Sequence, residues 1–351
     1  MSVVHLVVPD GFDLPSRPSG GNLYDRRLAQ ELSETGWSVR VWPVAGTWQP
    51  GGSLADGPLT DILAAIPDAA VVLVDGLVAR RAGSELLPHS ARLRVVVLVH
   101  QPTPDAERAA TVRAVLGAAH TVVATSEWTR RRLVERDSVA PSRVRVAVPG
   151  VDRAPLAPAS SSGERLLCVA AVTREKGHDL LLAALGSILD LPWRCTCVGP
   201  LDRDVELVEE LGVSPEGTLR GPLRMPVTFT GIRVGAALDA TYAAADLLVL
   251  PSRAETYGMV VTEALARGVP VLATAVGGVL EALGGGTEHG RAGALVPPDD
   301  VQALASTLRS WLGDEDLRRR WRAAARQRRT TLPRWSDTAR RVAQVLCEAA
   351  A

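Results

Sequence analysis

Short runs of valine and leucine recur along the chain, and between them apolar positions return at the three-to-four-residue period of a helix. The runs predict strands at Val3–Val8, Ser38–Trp42, Ala70–Val74, Arg94–Val99, Thr121–Ala124 and Val144–Ala147. A second series follows at Leu166–Ala171, Arg194–Val198, Val227–Thr230, Leu247–Leu250, Pro270–Ala273 and Ala294–Val296. Most lack polar alternation, as parallel strands covered on both faces do. Between the series lies Ala154–Gly163, rich in Pro and Ser and without a hydrophobic period, which reads as a linker. The fold class that follows is α/β, with two Rossmann-like, doubly wound parallel-sheet domains facing across a cleft. Ligands are expected at the carboxyl ends of the strands, near a switch in strand order. The expected domains are 1–153 and 164–333, with 154–163 as linker and 334–351 as a final helix.

Composition narrows the function classes. The 351 residues, 46% of them hydrophobic, suffice for two cores. Basic and acidic residues both number 39, so the basic excess of a nucleic-acid binder is missing and no nucleic-acid partner is expected. The four cysteines, Cys168, Cys195, Cys197 and Cys347, stand in apolar surroundings without zinc-type pairs. They read as buried, reduced thiols of a cytoplasmic protein. The N-terminus has neither a basic flank nor a cleavage site, and no apolar run approaches the length of a membrane span. The stretch Asp314–Arg341 carries ten arginines against four acids, and with its acids first it reads as a solvated helix. Peripheral membrane contact through such a helix is possible but not favoured.

Among the 39 basic residues, Lys176 is the single lysine, which points to a site needing a compact ammonium. It lies with Arg174, Glu175 and Gly177 between a strand and a helix, where a cation is unfavourable unless an anion shares the site. In LLVLPSRAETYGMVVTEALARGVPVLATAVGG, Glu255 falls in the turn after a strand and Glu263 eight residues later on the helix. Two carboxylates beside the free N–H groups around Tyr257, Gly258 and Met259 can bind sugar hydroxyls and a phosphate together. Pro18, Gly20 and Gly21 form a flexible loop before a helix whose apolar face is marked by Leu28 and Leu32, and glycines there let backbone N–H groups approach an anion. His100 ends the strand VVVLVH. Asp202 and Asp204 form a D-x-D, but before the helix DVELVEEL they read as caps rather than metal ligands, and no metal is expected. No P-loop or G-x-G-x-x-G is present.

Together these segments resemble the family 4 retaining glycosyltransferases of GT-B fold, over nearly the whole chain. The resemblance rests on the Gly-Gly loop, the histidine after the fourth strand, SEWTRRRL, VPGVD, EKGHDLLLAAL, TFTG, YAAADLLVLPS, the E-x7-E of Glu255 and Glu263, and GVPVLATAVGG. It implies that the first domain binds an acceptor, the second a nucleotide-sugar donor, and that the final helix crosses back to the first. It implies that Glu255 contacts the donor sugar's hydroxyls and Glu263 the ribose. Backbone N–H groups over Thr256, Tyr257, Gly258, Met259 and Val260 would hold sugar and distal phosphate, and Lys176 the leaving diphosphate. His100 would lie near the reacting sugar, and Gly20, Gly21 and Asn22 would meet donor phosphate and acceptor. The family's Gly-Arg is Ala170-Ala171 here, so one arginine on the diphosphate is missing, with Arg174 as the substitute from the same loop.

The resemblance thus implies a retaining, metal-independent transfer without cofactor, from a nucleotide sugar, UDP-sugar ahead of GDP-mannose, to a hydroxyl of a small-molecule or glycan acceptor. A cation and a helix N-terminus can stabilise the leaving diphosphate without a metal, and no carboxylate pair is placed for double displacement. The alternatives are an epimerase or phosphorylase of similar fold, or a catalytically weak nucleotide-sugar-binding protein. The loops after Gly11, Gly46 and Gly76 are candidates for acceptor recognition.

Overall fold

The structure, a computed structural model, describes residues 2–46, 48, 58–102, 109–220 and 225–351. The chain forms two compact units, Met1–Gly150 with Pro333–Ala351, and Val151–Leu332.

The first unit is built on strands β1 (Val3–Pro9), β2 (Ser38–Val44), β3 (Val71–Asp75), β4 (Arg94–Val99), β5 (Thr121–Ala124) and β6 (Val144–Val146). They pair in parallel in the order β2-β1-β3-β4-β5-β6, which places a switch in strand order between β1 and β3. Every residue of β3 and β5 is buried, because helices cover both faces. The helix Trp335–Ala350 belongs to this unit and buries Trp335, Val342, Val345, Leu346 and Ala349. It packs mainly on the helix Gly20–Glu34 and on β4. Gly150 makes the approach of that helix possible, since a Cβ there would collide with the backbone of Arg334 and Trp335. Thr338 then donates to the Val148 carbonyl at 2.8 Å.

The second unit is built on β7 (Arg165–Val169), β8 (Arg194–Val198), β9 (Val227–Phe229), β10 (Leu247–Leu250), β11 (Val271–Thr274) and β12 (Gly293–Val296). Their order, β12-β11-β10-β7-β8-β9, is again fully parallel, with its switch between β7 and β10.

Three expectations are corrected. Residues 154–163 are not a free linker but part of the second unit. The backbone N–H and hydroxyl of Ser160 donate to the buried Asp246 at 2.7 and 2.6 Å, and Ala157 N–H donates to the Arg267 carbonyl. Cys168, Cys195 and Cys197 are buried, but Cys347 is exposed, because it falls on the outward face of the last helix. The arginine-rich helix Glu315–Arg329 is only partly solvated. Arg318 donates to the carbonyls of Trp311 and Leu312, Arg328 to that of Leu283, and Arg329 to those of Ala266 and Ala154. Its guanidinium groups thus staple carbonyls at element ends while Trp321, Ala324 and Ala325 fill the core. No helix among the described residues is long and apolar enough to cross a membrane.

Candidate active site

In the second unit, the two strands flanking the switch point each end in a turn that carries one charged partner. After β7 comes a turn of 3-10 helix, Arg174–Lys176, closed by Gly177 at φ +69°. A Cβ at Gly177 would strike the carbonyl of Pro251, so only glycine lets this turn seat on the one after β10. Arg253 fastens the same two turns: its backbone N–H donates to the Glu175 carbonyl and its guanidinium to Asp179, Asp299 and the Arg174 carbonyl. The result brings Lys176 Nζ to 2.7 Å from Glu255 Oε1, with Ser252 Oγ donating to the same oxygen at 2.9 Å. The lysine side chain remains 27% exposed and the carboxylate 12%, so the pair is reachable by a ligand.

Gly258, at φ +89°, opens the helix Met259–Ala266, and no side chain caps its N-terminus. Its first N–H groups, at Met259 and Val260, are therefore available to an anion. The Tyr257 side chain is buried, and burial pushes its hydroxyl up to about 12. Gly277 and Gly278 allow the following loop to lie against the carbonyls of Glu255 and Thr256, positions a Cβ would fill. One helical turn on, Glu263 accepts from the Tyr242 hydroxyl at 2.7 Å through Oε2. Burial raises the Glu263 carboxyl above its ordinary range, against the lowering effects of Tyr242 and Arg267. The Arg267 guanidinium covers the Tyr242 ring at 4.7 Å.

In the first unit, three elements converge beside the other switch point. His100 follows β4, Asp75 ends β3, and Asp25 lies on the buried face of the helix Gly20–Glu34 with Tyr24, Leu28 and Leu32. His100 Nε2 stands 2.8 Å from Asp25 Oδ1 and 3.3 Å from Asp75 Oδ2. Asp75 Oδ1 also caps the helix Gly76–Arg81, accepting from the N–H groups of Leu77 and Val78. The edge of the Tyr24 ring meets the imidazole at 5.0 Å, while its hydroxyl is fixed on the Ala147 carbonyl. Burial, then the charge of Asp25, raises the Asp75 carboxyl to about 7. Burial lowers the His100 imidazole, but the charge and hydrogen bond of Asp25 and the charge of Asp75 outweigh it and hold the ring above its ordinary value. Among the described residues this is the one trio of His, Cys, Asp or Glu whose polar atoms all lie within 4.8 Å of one another.

The structure places the other candidates as follows. Gly20 and Gly21 are the first residues of their helix rather than a flexible loop, because Ser19 caps it by accepting from Asn22 N–H at 3.0 Å. The Asn22 side chain is tied to the Arg17 carbonyl. Gly21 faces the ring: a Cβ there would stand 3.2 Å from His100 Cδ2. Arg174 does not join Lys176 but pairs with Glu210 at 2.6 Å, both half-exposed. Asp204 caps the helix Val205–Glu210. The loop after Gly46 lies largely outside the described residues. Sequence reasoning missed Asp25, Asp75, Tyr242 and Ser252. The signal for Asp25 is an acid three residues before Leu28 on an apolar helix face; for Asp75 it is an acid closing an apolar strand.

Residues 158–328 match the family described as glycosyl transferases group 1. A D-inositol 3-phosphate glycosyltransferase of Catenulispora acidiphila is 31% identical over 301 residues, covering 78% of this chain and 68% of that protein. This chain belongs to the glycosyl transferases group 1 family. A D-inositol 3-phosphate glycosyltransferase of Kineococcus radiotolerans is 31% identical over 287 residues. That alignment covers 73% of this chain, and the chain spans 63% of the relative's length. Among solved structures, the sucrose-phosphate synthase of Thermosynechococcus elongatus superposes with a TM-score of 0.77 over 99% of both chains at 23% identity. The Anabaena HepE protein, solved with UDP-glucose, does so with a TM-score of 0.74 over 99% of this chain and 100% of its own at 17% identity. At these identities the likeness establishes the fold, which is GT-B.

Proposed function

We propose that this group 1 chain is a retaining, metal-independent hexosyltransferase that needs no cofactor and moves a sugar from a nucleotide sugar to a hydroxyl of a small-molecule or glycan acceptor. The observation that carries the reading is the contact of Lys176 with Glu255 at the two strand ends flanking the switch point of the second sheet. A donor diphosphate would take Lys176 Nζ from Glu255, and the freed carboxylate would accept from sugar hydroxyls while Ser252 holds one of its oxygens. The uncapped N-terminus at Met259 and Val260 would receive the distal phosphate. Glu263, with one oxygen held by Tyr242, would offer the other to ribose hydroxyls. In the first unit, His100 and the helix start at Gly20, Gly21 and Asn22 would serve the transferred sugar and the acceptor.

In the step itself the bond from the anomeric carbon to the phosphate oxygen breaks, and the acceptor oxygen bonds the same face of that carbon. The acceptor's proton passes to the departing phosphate, whose growing charge Lys176 and the helix N-terminus stabilise. The donor proposed is a UDP-sugar, since a structural neighbour binds UDP-glucose. The small-molecule acceptor follows relatives named for D-inositol 3-phosphate. The lost arginine at Ala171, with Arg174 occupied by Glu210, leaves the diphosphate one charge-assisted contact short. Such a contact is worth about 1.5 to 3 kcal/mol, and nucleotide binding with slow turnover is the form this would take.

The test is incubation with UDP-glucose, with GDP-mannose as the alternative donor, and an inositol phosphate in the presence of chelator, with the product's anomeric configuration read by proton NMR. A product of retained configuration supports the reading. An inverted anomer sinks retention, restoration of activity only by added divalent cation sinks metal independence, and conversion of the donor sugar with no acceptor present shows an epimerase.

A further inference from the structure

The trio in the first unit holds more acid than a histidine needs. One carboxylate suffices to orient an imidazole and fix its tautomer; here two converge on the same Nε2 from separate elements, at 2.8 and 3.3 Å. Their remaining oxygens differ. Asp75 Oδ1 is filled by two backbone N–H groups, whereas Asp25 Oδ2 is buried without a hydrogen-bond partner. Only the histidine reaches the surface, with its side chain 17% exposed against 1% for Asp25 and 5% for Asp75. Its second nitrogen, Nδ1, has no partner among the described residues. The titratable groups that face the ring from the elements packed on it are Asp25 and Tyr24 from the helix Gly20–Glu34 and Asp75 from β3. The last helix contributes Trp335, edge-on to Tyr24 at 5.6 Å.

We propose that Asp25 and Asp75 are positioning residues that hold the Nε2–H of His100 between them and so oblige the ring to carry its second proton on Nδ1, as a donor toward the ligand. Two buried negative charges with one neutral ring between them would be uncompensated, and a buried charge is tolerated only when paired. Placing a proton on each ring nitrogen, and at lower pH one more on Asp75, balances them. The ring's exposed nitrogen then donates rather than accepts. The ligand group it selects is a neutral oxygen with lone pairs, such as the ring or hydroxyl oxygen of a sugar. The upward direction of both the His100 and the Asp75 titrations agrees with this geometry. The catalytic use of the donor rests on the function proposed above; the protonation state does not.

The experiment is a pH titration by nitrogen-15 NMR of the full chain labelled at histidine, without ligand and with chelator present, the His100 signal being assigned by its loss in His100→Gln. The ring is expected to keep the doubly protonated pattern to a higher pH than an ordinary histidine does. Its midpoint should fall by a unit or more in Asp25→Asn and by less in Asp75→Asn. The second variant guards against failure of the first to fold, because asparagine also caps a helix well. A His100 midpoint at or below the ordinary value of about 6.5 in the wild type, or one that neither variant moves, overturns the proposal. So does a His100 signal that changes on adding zinc or manganese and returns on chelation, since a cation would then balance the carboxylates. In the activity assay, the alkaline limb of kcat/KM should move to lower pH in the same two variants. If the NMR result holds but no nucleotide sugar is turned over, the functional reading fails alone; if turnover is found with an ordinary His100 titration, only this inference fails.

Discussion

At the switch point of the second sheet a lysine and a glutamate neutralise each other at 2.7 Å, whereas beside the switch point of the first two aspartates share one imidazole. Both clusters arise from one topological rule, that loops at the carboxyl ends of diverging strands leave room for side chains to converge. They differ in what can open them. In the function proposed, an incoming diphosphate takes Lys176 from Glu255 and leaves a carboxylate ready for hydroxyls, so a ligand would rebalance the second cluster. No anion can rebalance the first, which is already in excess of negative charge; protons do so instead. In the function proposed, the two clusters serve two tasks, gripping a leaving group and presenting a protonated ring.

The largest expected effect is on the ligand-exchangeable pair. In the proposed reading, Lys176→Ala removes the cationic side chain that meets the diphosphate, and it leaves Glu255 without its cation. At about 1.5 to 3 kcal/mol for that contact, kcat/KM should fall by roughly ten- to a hundredfold or more, with the melting temperature little changed. Steady-state kinetics beside a thermal melt checks both. Next, Gly177→Ala should lower stability and activity together. The side chain would need both a φ of +69° and the space of the Pro251 carbonyl, so the turn carrying Lys176 must move.

A pH-dependent effect sharpens the other side. Asp75 has its carboxyl raised to about 7 in the folded chain, above the ordinary 3.8. Between those values the folded state holds a proton that the unfolded state has released, so stability falls as pH rises through this window and levels above about 7. Asp75→Asn removes the group, and its melting temperature relative to wild type should be higher at pH 8 than at pH 4. An equal difference at both values would show that Asp75 is not held protonated. Smaller still, Tyr242→Phe removes one hydrogen bond to Glu263, worth about 1 kcal/mol. It should weaken nucleotide affinity several-fold by calorimetry while leaving the first unit's histidine titration unmoved. Gly21→Ala should be mildest: its Cβ would press on His100 Cδ2 at 3.2 Å, and the ring, held by Asp25 and Asp75, must give by a few tenths of an ångström. A reduced kcat is expected, read by steady-state kinetics.

Much of this was legible in the sequence because it is local. Strands buried on both faces read as unbroken apolar runs, so Arg94–Val99, Thr121–Ala124 and Leu247–Leu250 can be bounded to the residue from pattern alone. Glu255, Glu263 and Lys176 stand in short motifs whose spacing is fixed by one turn and one helix. Asp25 and Asp75 were not legible as partners of His100, because the trio joins three elements separated by 50 and 25 residues. The pairing of Arg174 with Glu210 and the stapling of carbonyls by Arg318, Arg328 and Arg329 were hidden for a related reason. A long side chain on a surface helix carries the same charge in the sequence wherever its guanidinium reaches. The Ser-rich stretch 154–163 looked free because its anchor, Asp246, lies more than 80 residues away.

The measurement that tests the account most directly is calorimetric titration of the full chain with UDP, GDP, ADP and dTDP in chelator, on the wild type, Lys176→Ala and Glu263→Ala. The account predicts that one nucleoside diphosphate, UDP first, binds the wild type without a metal, and that both folded variants lose at least tenfold in affinity. No binding by any of the four, or binding that both variants retain in full, would contradict it.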